Sequence, residues 1–401
     1  MSLFSAIELA PRDPILGLNE AFNADPRADK VNLGVGVYFD EAGKIPLLQA
    51  VARAEELRQQ AQAARGYLPI EGVVSYSIEV QKLLFGANSP LLANQQVATV
   101  QSIGGTGALK LGADFIKTLD SSGMVAISNP SWENHRALFT AAGYQVVDYS
   151  YYDPASHGLN LTGMLADLEA LPERSVVILH ACCHNPTGVD LTADGWKQVI
   201  SLLQRKQHIP FLDIAYQGFG DGIEEDAVAV RLFADSGMNF FVSSSFSKSF
   251  SFYGERVGAL SVVCGSAQEA ERVLSQVKRV IRTNYSNPPT HGATIVSTVL
   301  GSPELNALWQ QELGEMRSRI KQMRQLMVEQ LKAKGASQDF SFVTEQRGMF
   351  SYSGLSAAQV DRLREEFGIY AVSTGRICVA ALNLGNINAV TDAIVTVSGQ
   401  S

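Results

Sequence analysis

Residues 245–256 read Ser-Phe-Ser-Lys-Ser-Phe-Ser-Phe-Tyr-Gly-Glu-Arg and separate two predicted strands, at residues 239–243 and 257–263. They place one lysine, Lys248, among hydroxyl and aromatic side chains, with Arg256 eight positions later. A lysine that is partly buried near other cations loses its proton readily and can form a Schiff base. The serines and Arg256 suit a phosphate beside that lysine. A phosphate next to a Schiff-base lysine predicts pyridoxal phosphate (PLP) as the cofactor.

Outward from this segment, the middle of the chain alternates short apolar strands with amphipathic helices. The other predicted strands are at residues 97–103, 124–128, 145–149, 176–180 and 210–214. The predicted helices between them are at residues 106–119, 135–142 and 192–205. This alternation is typical of an α/β fold with a mainly parallel sheet covered by helices.

The pattern changes after about residue 303, where a long charged helix is predicted at residues 304–335. It is followed by short predicted strands at residues 340–344, 349–353 and 377–380 and by helices at residues 357–367 and 388–397. These elements predict a smaller α+β domain, which the loop-rich start of the chain is expected to join. The expected division is a large cofactor-binding domain at residues 46–315 and a small domain formed by residues 1–45 and 316–401.

The composition favours a globular enzyme without a nucleic-acid or membrane partner. The 401 residues are 46% hydrophobic and 18% charged, which allows a sizeable core. The net charge of −8 argues against nucleic acids or anionic membranes as main partners. No apolar run suits a membrane-spanning helix, the first residues do not resemble a signal peptide, and four cysteines are too few for a disulfide framework. We therefore expect a cytoplasmic location.

Polar motifs follow several predicted strands, at the edge where open parallel sheets bind ligands. Residues 102–108 read Ser-Ile-Gly-Gly-Thr-Gly-Ala and open a helix, so the amides near Gly105 and Thr106 suit a phosphate. A tight strand–helix turn remains the alternative for this motif alone. A dinucleotide-binding GxGxxG is excluded, because it would need glycine in place of Lys110.

Further residues suit a pyridine ring. Asp213 would pair with a protonated ring nitrogen, although a helix cap is the alternative for this residue alone. Tyr216 and Asn185 would hydrogen-bond the phenolic oxygen of the ring, but an asparagine before proline is also typical of a plain turn. Trp132 would stack on the ring and His135 would support Asp213 from behind, unless Trp132 simply belongs to the core.

The remaining candidates are a cysteine pair and two arginines. Cys182 and Cys183 lie between histidines but lack the usual spacing of metal ligands, so no metal site is expected. Arg376 and Arg282 suit carboxylates, because the planar guanidinium can bond both oxygens at once. A solvated surface arginine is the alternative for either of them alone.

Taken together, these motifs resemble the class I, fold-type I PLP-dependent aminotransferases over nearly the whole chain. Within that family the chain is most similar to bacterial aromatic-amino-acid (tyrosine) aminotransferases and their aspartate aminotransferase relatives. The segments that carry the resemblance are residues 13–18, 32–38, 67–72, 182–188, 246–248, 284–289 and 348–351. Within the family, the amino-acid sequence is most similar to the aromatic-amino-acid aminotransferases at residues 67–72, 182–185, 250–256 and 354–363.

The resemblance implies a role for each candidate residue. Lys248 forms the Schiff base and moves the substrate proton, with Asp213 and Tyr216 as the other catalytic residues. Arg376 binds the substrate α-carboxylate, and a loop at Gly36 closes over the substrate. The residues implied to hold PLP are Asp213, Tyr216, Asn185, Trp132, Gly105, Thr106, Ser245 and Arg256, and Trp132 and Asn185 also face the substrate.

The resemblance also implies a homodimer with shared active sites. Tyr67 of the partner subunit would reach the phosphate, and Arg282 of the partner subunit would bind a distal carboxylate. The implied reaction passes the amino group of tyrosine, phenylalanine or aspartate to 2-oxoglutarate, with a dicarboxylate-preferring aspartate aminotransferase as the alternative. A PLP lyase and a catalytically silent PLP-binding module are the rivals from other classes.

Overall fold

The computed structural model describes residues 2–11, 13, 15–119 and 121–399. The helices, numbered in chain order, are α1 (Leu16–Ala24), α2 (Gln49–Ala61), α3 (Val74–Phe85), α4 (Pro90–Ala93), α5 (Gly104–Ile116), α6 (Glu133–Ala141), α7 (Leu161–Ala170), α8 (Ala193–Arg205), α9 (Val228–Asp235), α10 (Ala267–Asn284), α11 (His291–Gly301), α12 (Pro303–Ala333), α13 (Ala357–Phe367) and α14 (Ile387–Ser398). The strands are β1 (Val31–Asn32), β2 (Val97–Ile103), β3 (Met124–Asn129), β4 (Gln145–Ser150), β5 (Tyr152–Asp153), β6 (Gly158–Leu159), β7 (Val176–His180), β8 (Ile209–Ile214), β9 (Phe240–Ser245), β10 (Val257–Val263), β11 (Phe350–Tyr352), β12 (Ile369–Tyr370) and β13 (Arg376–Cys378). Short 3-10 helices lie at Glu225–Ala227, Ser341–Thr344 and Val379–Ala381.

The central sheet has seven strands in the order β2-β10-β9-β8-β7-β3-β4. β10 runs antiparallel to its neighbours β2 and β9, and the other pairs are parallel. Every residue of β7 and β10 is buried. Strands covered on both faces need continuous apolar runs of this kind. The predicted α/β fold with a mainly parallel, helix-covered sheet is confirmed.

The helices begin where the sequence offers caps and pack where it offers small residues. Thr192 Oγ1 accepts the Gly195 N–H at 3.1 Å at the start of α8, and such a cap satisfies an otherwise unpaired helix donor. Helix α5 lies close to the sheet at Gly112, where an added Cβ would fall 2.4 Å from the Phe211 ring. The 31-residue helix α12 starts at a Ser302 cap and packs against α2, α11 and α14.

One smaller pairing joins the beginning and the end of the chain, and another lies within the C-terminal part. β1 runs parallel to β12, with Val31 opposite Ile369. β11 runs antiparallel to β13, with Tyr352 opposite Arg376. Among the described residues, no helix is both long and apolar enough to cross a membrane. The boundaries of the two domains stay a prediction.

One sequence expectation about local structure is wrong. The predicted strand at residues 340–344 is a 3-10 helix, because the Asp339 carboxylate accepts both the N–H and the hydroxyl of Ser341 and starts a turn. The start of the chain is loop-rich as predicted, although it contains helix α1. Asp13 Oδ1 begins that helix by accepting the N–H groups of Ile15 and Leu16 at 2.9 and 2.8 Å.

Candidate active site

A cavity of about 540 Å³ lies beyond the carboxyl ends of the parallel strands. Strands β7, β8 and β9 and the segments after β2 and β3 bring side chains to it from the sheet, and β11 and β13 close it from the C-terminal part. The cavity gathers most of the residues that the sequence singled out. Those that line it are Gly36, Gly105, Thr106, Trp132, Asn185, Asp213, Tyr216, Ser245, Lys248, Arg256 and Arg376.

One end of the cavity is suited to a phosphate. Helix α5 begins there without a side-chain cap. The Gly104 N–H donates to the Arg256 carbonyl at 3.0 Å, and the next N–H groups of the first turn are available to an anion. Arg256 Nη1 donates to Ser247 Oγ at 3.3 Å, and Ser245 Oγ donates to the same oxygen at 3.2 Å. An added Cβ at Gly104, where φ is +68°, would fall 2.5 Å from Arg256 Nη2, so glycine is needed for this close approach.

Lys248 lies partly buried at the floor of the cavity. Its Nζ is 4.9 Å from the centre of the Tyr216 ring. Burial lowers the pKa of Lys248 to about 8, and the positive charges of Arg256 and Arg376 act in the same direction, whereas Asp213 opposes them. An amine with this pKa is partly unprotonated near neutral pH and can act as a nucleophile or a base.

Asp213 is buried near the end of β8, with His135 directly behind it. The Oδ2 of Asp213 lies 2.8 Å from His135 Nε2, and His135 Nδ1 lies 2.9 Å from Ser131 Oγ. Burial alone would raise the pKa of Asp213, but the hydrogen bond and charge of His135 hold that pKa below its usual value. Asp213 is therefore an anion able to pair with a cationic ring nitrogen. The alternative that it caps a helix is wrong, because it lies within β8.

Arg376 is a buried cation whose neighbours are neutral. The side chain is 2% exposed and lies on the Phe350 ring at 4.3 Å. Its Nη1 donates to Asn185 Oδ1 at 3.2 Å and its Nη2 to the Gly34 carbonyl at 2.6 Å. Its buried Nε has no hydrogen-bond partner among the described residues. A buried charge is costly unless it is paired, so this site calls for an anionic ligand such as a carboxylate.

Two predicted site residues lie outside this cavity. Tyr67 is 96% exposed. Arg282 is exposed on α10, where its Nη1 donates to Ser286 Oγ at 2.6 Å. The prediction that both act across a dimer concerns a second subunit, so it stays a prediction.

Sequence reasoning assigned no role to several residues that line the cavity. Ser247 and Tyr253 lie inside the segment around Lys248, and His180 ends β7 just before Cys182 and Cys183. Phe350 could not be found from the sequence, because its role under Arg376 depends on the pairing of β11 with β13.

The cysteine pair adjoins the site. The Cys182, Cys183 and Asp226 ligand atoms lie within 4.8 Å of one another. However, the Asp226 oxygens already accept N–H groups of Gly218, Gly220 and Asp221.

Comparison with known proteins identifies the family. The sequence family described as "Aminotransferase class I and II" matches residues 28–394. An aspartate aminotransferase of Pseudomonas aeruginosa is 72% identical over 99% of this chain and all of its own length. An aromatic-amino-acid aminotransferase of Escherichia coli is 53% identical over 98% of this chain and all of its own length.

A solved structure gives the cofactor. The aromatic-amino-acid aminotransferase of Burkholderia pseudomallei, covalently bound to PLP, has a TM-score of 0.97 and 66% identity, over 99% of this chain and all of that one. The cavity fits PLP, because it offers a phosphate cradle, an activated lysine and a buried carboxylate. The chain belongs to the class I and II aminotransferases, and it is a PLP-dependent transaminase of fold type I.

Proposed function

We propose that this transaminase moves the amino group of tyrosine, phenylalanine and aspartate reversibly to 2-oxoglutarate. The observation that carries the proposal is one cavity that holds Lys248, anionic Asp213 and Arg376, whose buried Nε has no hydrogen-bond partner among the described residues. An amino acid and a 2-oxo acid share one feature, the carboxylate, and Arg376 is placed to bind it in both. The names of the relatives, aromatic-amino-acid and aspartate aminotransferase, support both substrate classes.

The proposed mechanism assigns each step to a residue. When bound, PLP supplies an electron sink for the negative charge that develops at the substrate α-carbon. Lys248 would remove the α-proton and deliver it to the cofactor carbon that keeps the amino group, and its lowered pKa keeps free amine available. Asp213, which His135 keeps anionic, pairs with the ring nitrogen and keeps it protonated. Arg376 binds the α-carboxylate and so orients the substrate for proton transfer.

The other cavity residues hold the cofactor in this proposal. Gly105, Thr106, Ser245 and Arg256 bind the phosphate through helix amides, hydroxyls and a guanidinium. The residues proposed to contact the ring are Trp132 by stacking and Asn185 and Tyr216 by hydrogen bonds to its oxygen. Gly36 belongs to the segment that covers the substrate, and it lies so close to Phe350 that an added Cβ would fall 2.9 Å from that ring.

We further propose a homodimer in which each active site is completed by the other chain. Tyr67 of the partner subunit would contact the phosphate, and Arg282 of the partner subunit would bind the distal carboxylate of aspartate or 2-oxoglutarate. The exposed apolar side chains of Leu57, Val74 and Ile78, on helices α2 and α3, support an interface near Tyr67.

The domain division and the cell compartment are proposals of the same kind. The pairing of β1 with β12 supports a small domain formed by residues 1–45 and 316–401 beside a large domain at residues 46–315. The four cysteines are buried and free. Unpaired thiols are typical of a reducing compartment, which supports a cytoplasmic location.

A dicarboxylate-preferring aspartate aminotransferase is the second candidate, because the relative that is 72% identical carries that name. Absorbance of the purified holoenzyme separates the two functions. If tyrosine bleaches the visible band of the bound cofactor and 2-oxoglutarate restores it, the proposal holds. If aspartate bleaches the band and tyrosine does not, the second candidate is correct. A loss of the band that no 2-oxo acid restores would refute both.

A further inference from the structure

Residues 33–39, here called the Gly36 segment, are attached by their backbone to the C-terminal part. The Cys378 N–H donates to the Leu33 carbonyl at 2.8 Å, and the Phe39 N–H donates to the Ala380 carbonyl at 3.1 Å. Between these two bonds, Arg376 Nη2 donates to the Gly34 carbonyl at 2.6 Å. The Gly36 segment therefore moves together with the strand that carries Arg376.

Arg319 on α12 reinforces this attachment. Its Nη1 donates to the Leu382 carbonyl at 2.7 Å, and its Nη2 donates to the Ala380 carbonyl at 3.1 Å. The same guanidinium also bonds the Phe39 carbonyl, and its Nε donates to the Tyr38 hydroxyl at 2.8 Å. A planar guanidinium can span two segments in this way because its donors are held in a rigid fork.

Tyr253 joins the Gly36 segment to the other side of the cavity. Its hydroxyl accepts the Tyr38 N–H at 2.8 Å, and it lies in the same segment as Lys248. Among the hydrogen bonds of the described residues, this is the one that links the Gly36 segment to residues 245–256. Burial raises the pKa of Tyr253 above its usual value, so the phenol stays neutral at ordinary pH.

We propose that Tyr253 is a positioning residue that latches the Gly36 segment onto the Lys248 segment, and that Arg319 makes the latched segment carry Arg376 with it. The proposal rests on the proposed function, since it assigns Arg376 to the substrate carboxylate and Lys248 to the α-proton. The hydrogen bond from Tyr38 to Tyr253 thereby fixes the distance between Arg376 and Lys248. Tyr253 itself takes no part in the reaction. Weakening this hydrogen bond lowers the fraction of enzyme that is ready to bind, which reduces apparent affinity without changing the step at saturation.

Tyr253→Phe removes the acceptor and keeps the ring. We expect KM for tyrosine and for 2-oxoglutarate to rise about fivefold each, which corresponds to the free energy lost with one ordinary hydrogen bond. We expect kcat to change less than about twofold. Tyr144→Phe is the matched control, because its buried hydroxyl donates to the Ala113 carbonyl at 2.8 Å, on a later turn of α5 than the residues that line the cavity. That control should leave both KM values unchanged. A fall in kcat with unchanged KM in Tyr253→Phe would overturn the proposal, because it would place the hydroxyl at the reacting atoms.

Arg319 is tested against a second arginine of the same helix. Arg317 Nη1 donates to the Gly218 carbonyl at 2.8 Å, away from the Gly36 segment. Arg319→Gln should raise both KM values, Arg319→Lys should restore part of the loss, and Arg317→Gln should not change them. Equal effects of Arg319→Gln and Arg317→Gln would contradict the role given to Arg319.

Hydrogen exchange without substrate tests the latch separately from the reaction. In Tyr253→Phe the Tyr38 amide should exchange about fivefold faster than in the unmodified holoenzyme, because its acceptor is gone. The Phe39 amide, bonded to Ala380, should keep its rate. An unchanged Tyr38 rate would refute the latch. Faster Tyr38 exchange in a protein that fails to transaminate would keep the latch and refute the proposed function instead.

Discussion

Replacing Trp309 by phenylalanine is expected to destabilise the fold next to Lys248. Trp309 is 1% exposed on α12 and stacks on Phe250 with ring centres 4.9 Å apart. Its Nε1–H donates to the Ser249 carbonyl at 2.7 Å, and Ser249 follows Lys248 in the chain. Phenylalanine keeps a ring in the core but has no donor, so the Ser249 carbonyl is left unpaired.

The size of the effect has two parts. A buried carbonyl that loses its partner costs about 1–3 kcal/mol. The smaller ring leaves about 40 Å³ of empty space, which costs about 1 kcal/mol at the usual dependence on cavity volume. We therefore expect the free energy of unfolding to fall by about 2–4 kcal/mol in Trp309→Phe.

Urea unfolding of the holoenzyme, followed by far-ultraviolet circular dichroism, measures this loss. Trp196→Phe is the matched control, because Trp196 is 4% exposed and packs edge-on against Phe233. It loses the same ring volume and should cost about 1 kcal/mol. The difference between the two variants isolates the hydrogen bond to Ser249. Equal losses in both variants would refute the reasoning.

Three other perturbations have defined outcomes. Asp213→Ala should reduce turnover by orders of magnitude while PLP still binds, as measured by steady-state kinetics and absorbance, and wild-type turnover would contradict the role of Asp213. Arg282→Leu should raise KM for aspartate far more than KM for phenylalanine, since only aspartate has a distal carboxylate, and equal changes would argue against that contact. Burial lowers the pKa of His180 to about 3 from 6.5, so the unfolded chain takes up a proton that the folded chain refuses. The contribution of His180 to the free energy of unfolding should be fully present above pH 6.5. It should fall by about 2 kcal/mol when the pH is lowered to 5. His180→Asn should show a smaller fall, and an identical pH dependence would count against this account.

The sheet could be predicted because its strands are buried on both faces. The predicted and observed bounds agree at β2, β7 and β10, where apolar runs end at turns. The direction of β10 could not be predicted, because a strand's direction depends on how the chain crosses over and not on its residue pattern. The 3-10 helix at Ser341–Thr344 was missed because the turn that the Asp339 carboxylate starts at Ser341 prevailed over the apolar pattern.

The site was predictable where chemistry and strand ends coincide. Asp213 lies near the end of β8, Asn185 and Lys248 follow β7 and β9, and their residue types indicate the ligand. The bond from Tyr38 to Tyr253 spans 215 positions and has no local signal. Contacts of this kind depend on how distant parts of the chain pack together, which the sequence pattern does not reveal.

The pairing of β1 with β12 has a consequence for biosynthesis. A ribosome releases residues 31 and 32 long before residues 369 and 370, which are their partners in the folded chain. The seven-stranded sheet can therefore form before β12 has been synthesised and while β1 is still unpaired. A nascent chain that stops before residue 376 would contain Lys248 and the residues proposed to bind the phosphate. It would lack Arg376 and the backbone that holds Gly36 in place. The nascent chain can thus bind PLP before it can catalyse transamination. It becomes catalytically competent only when its last residues have been synthesised.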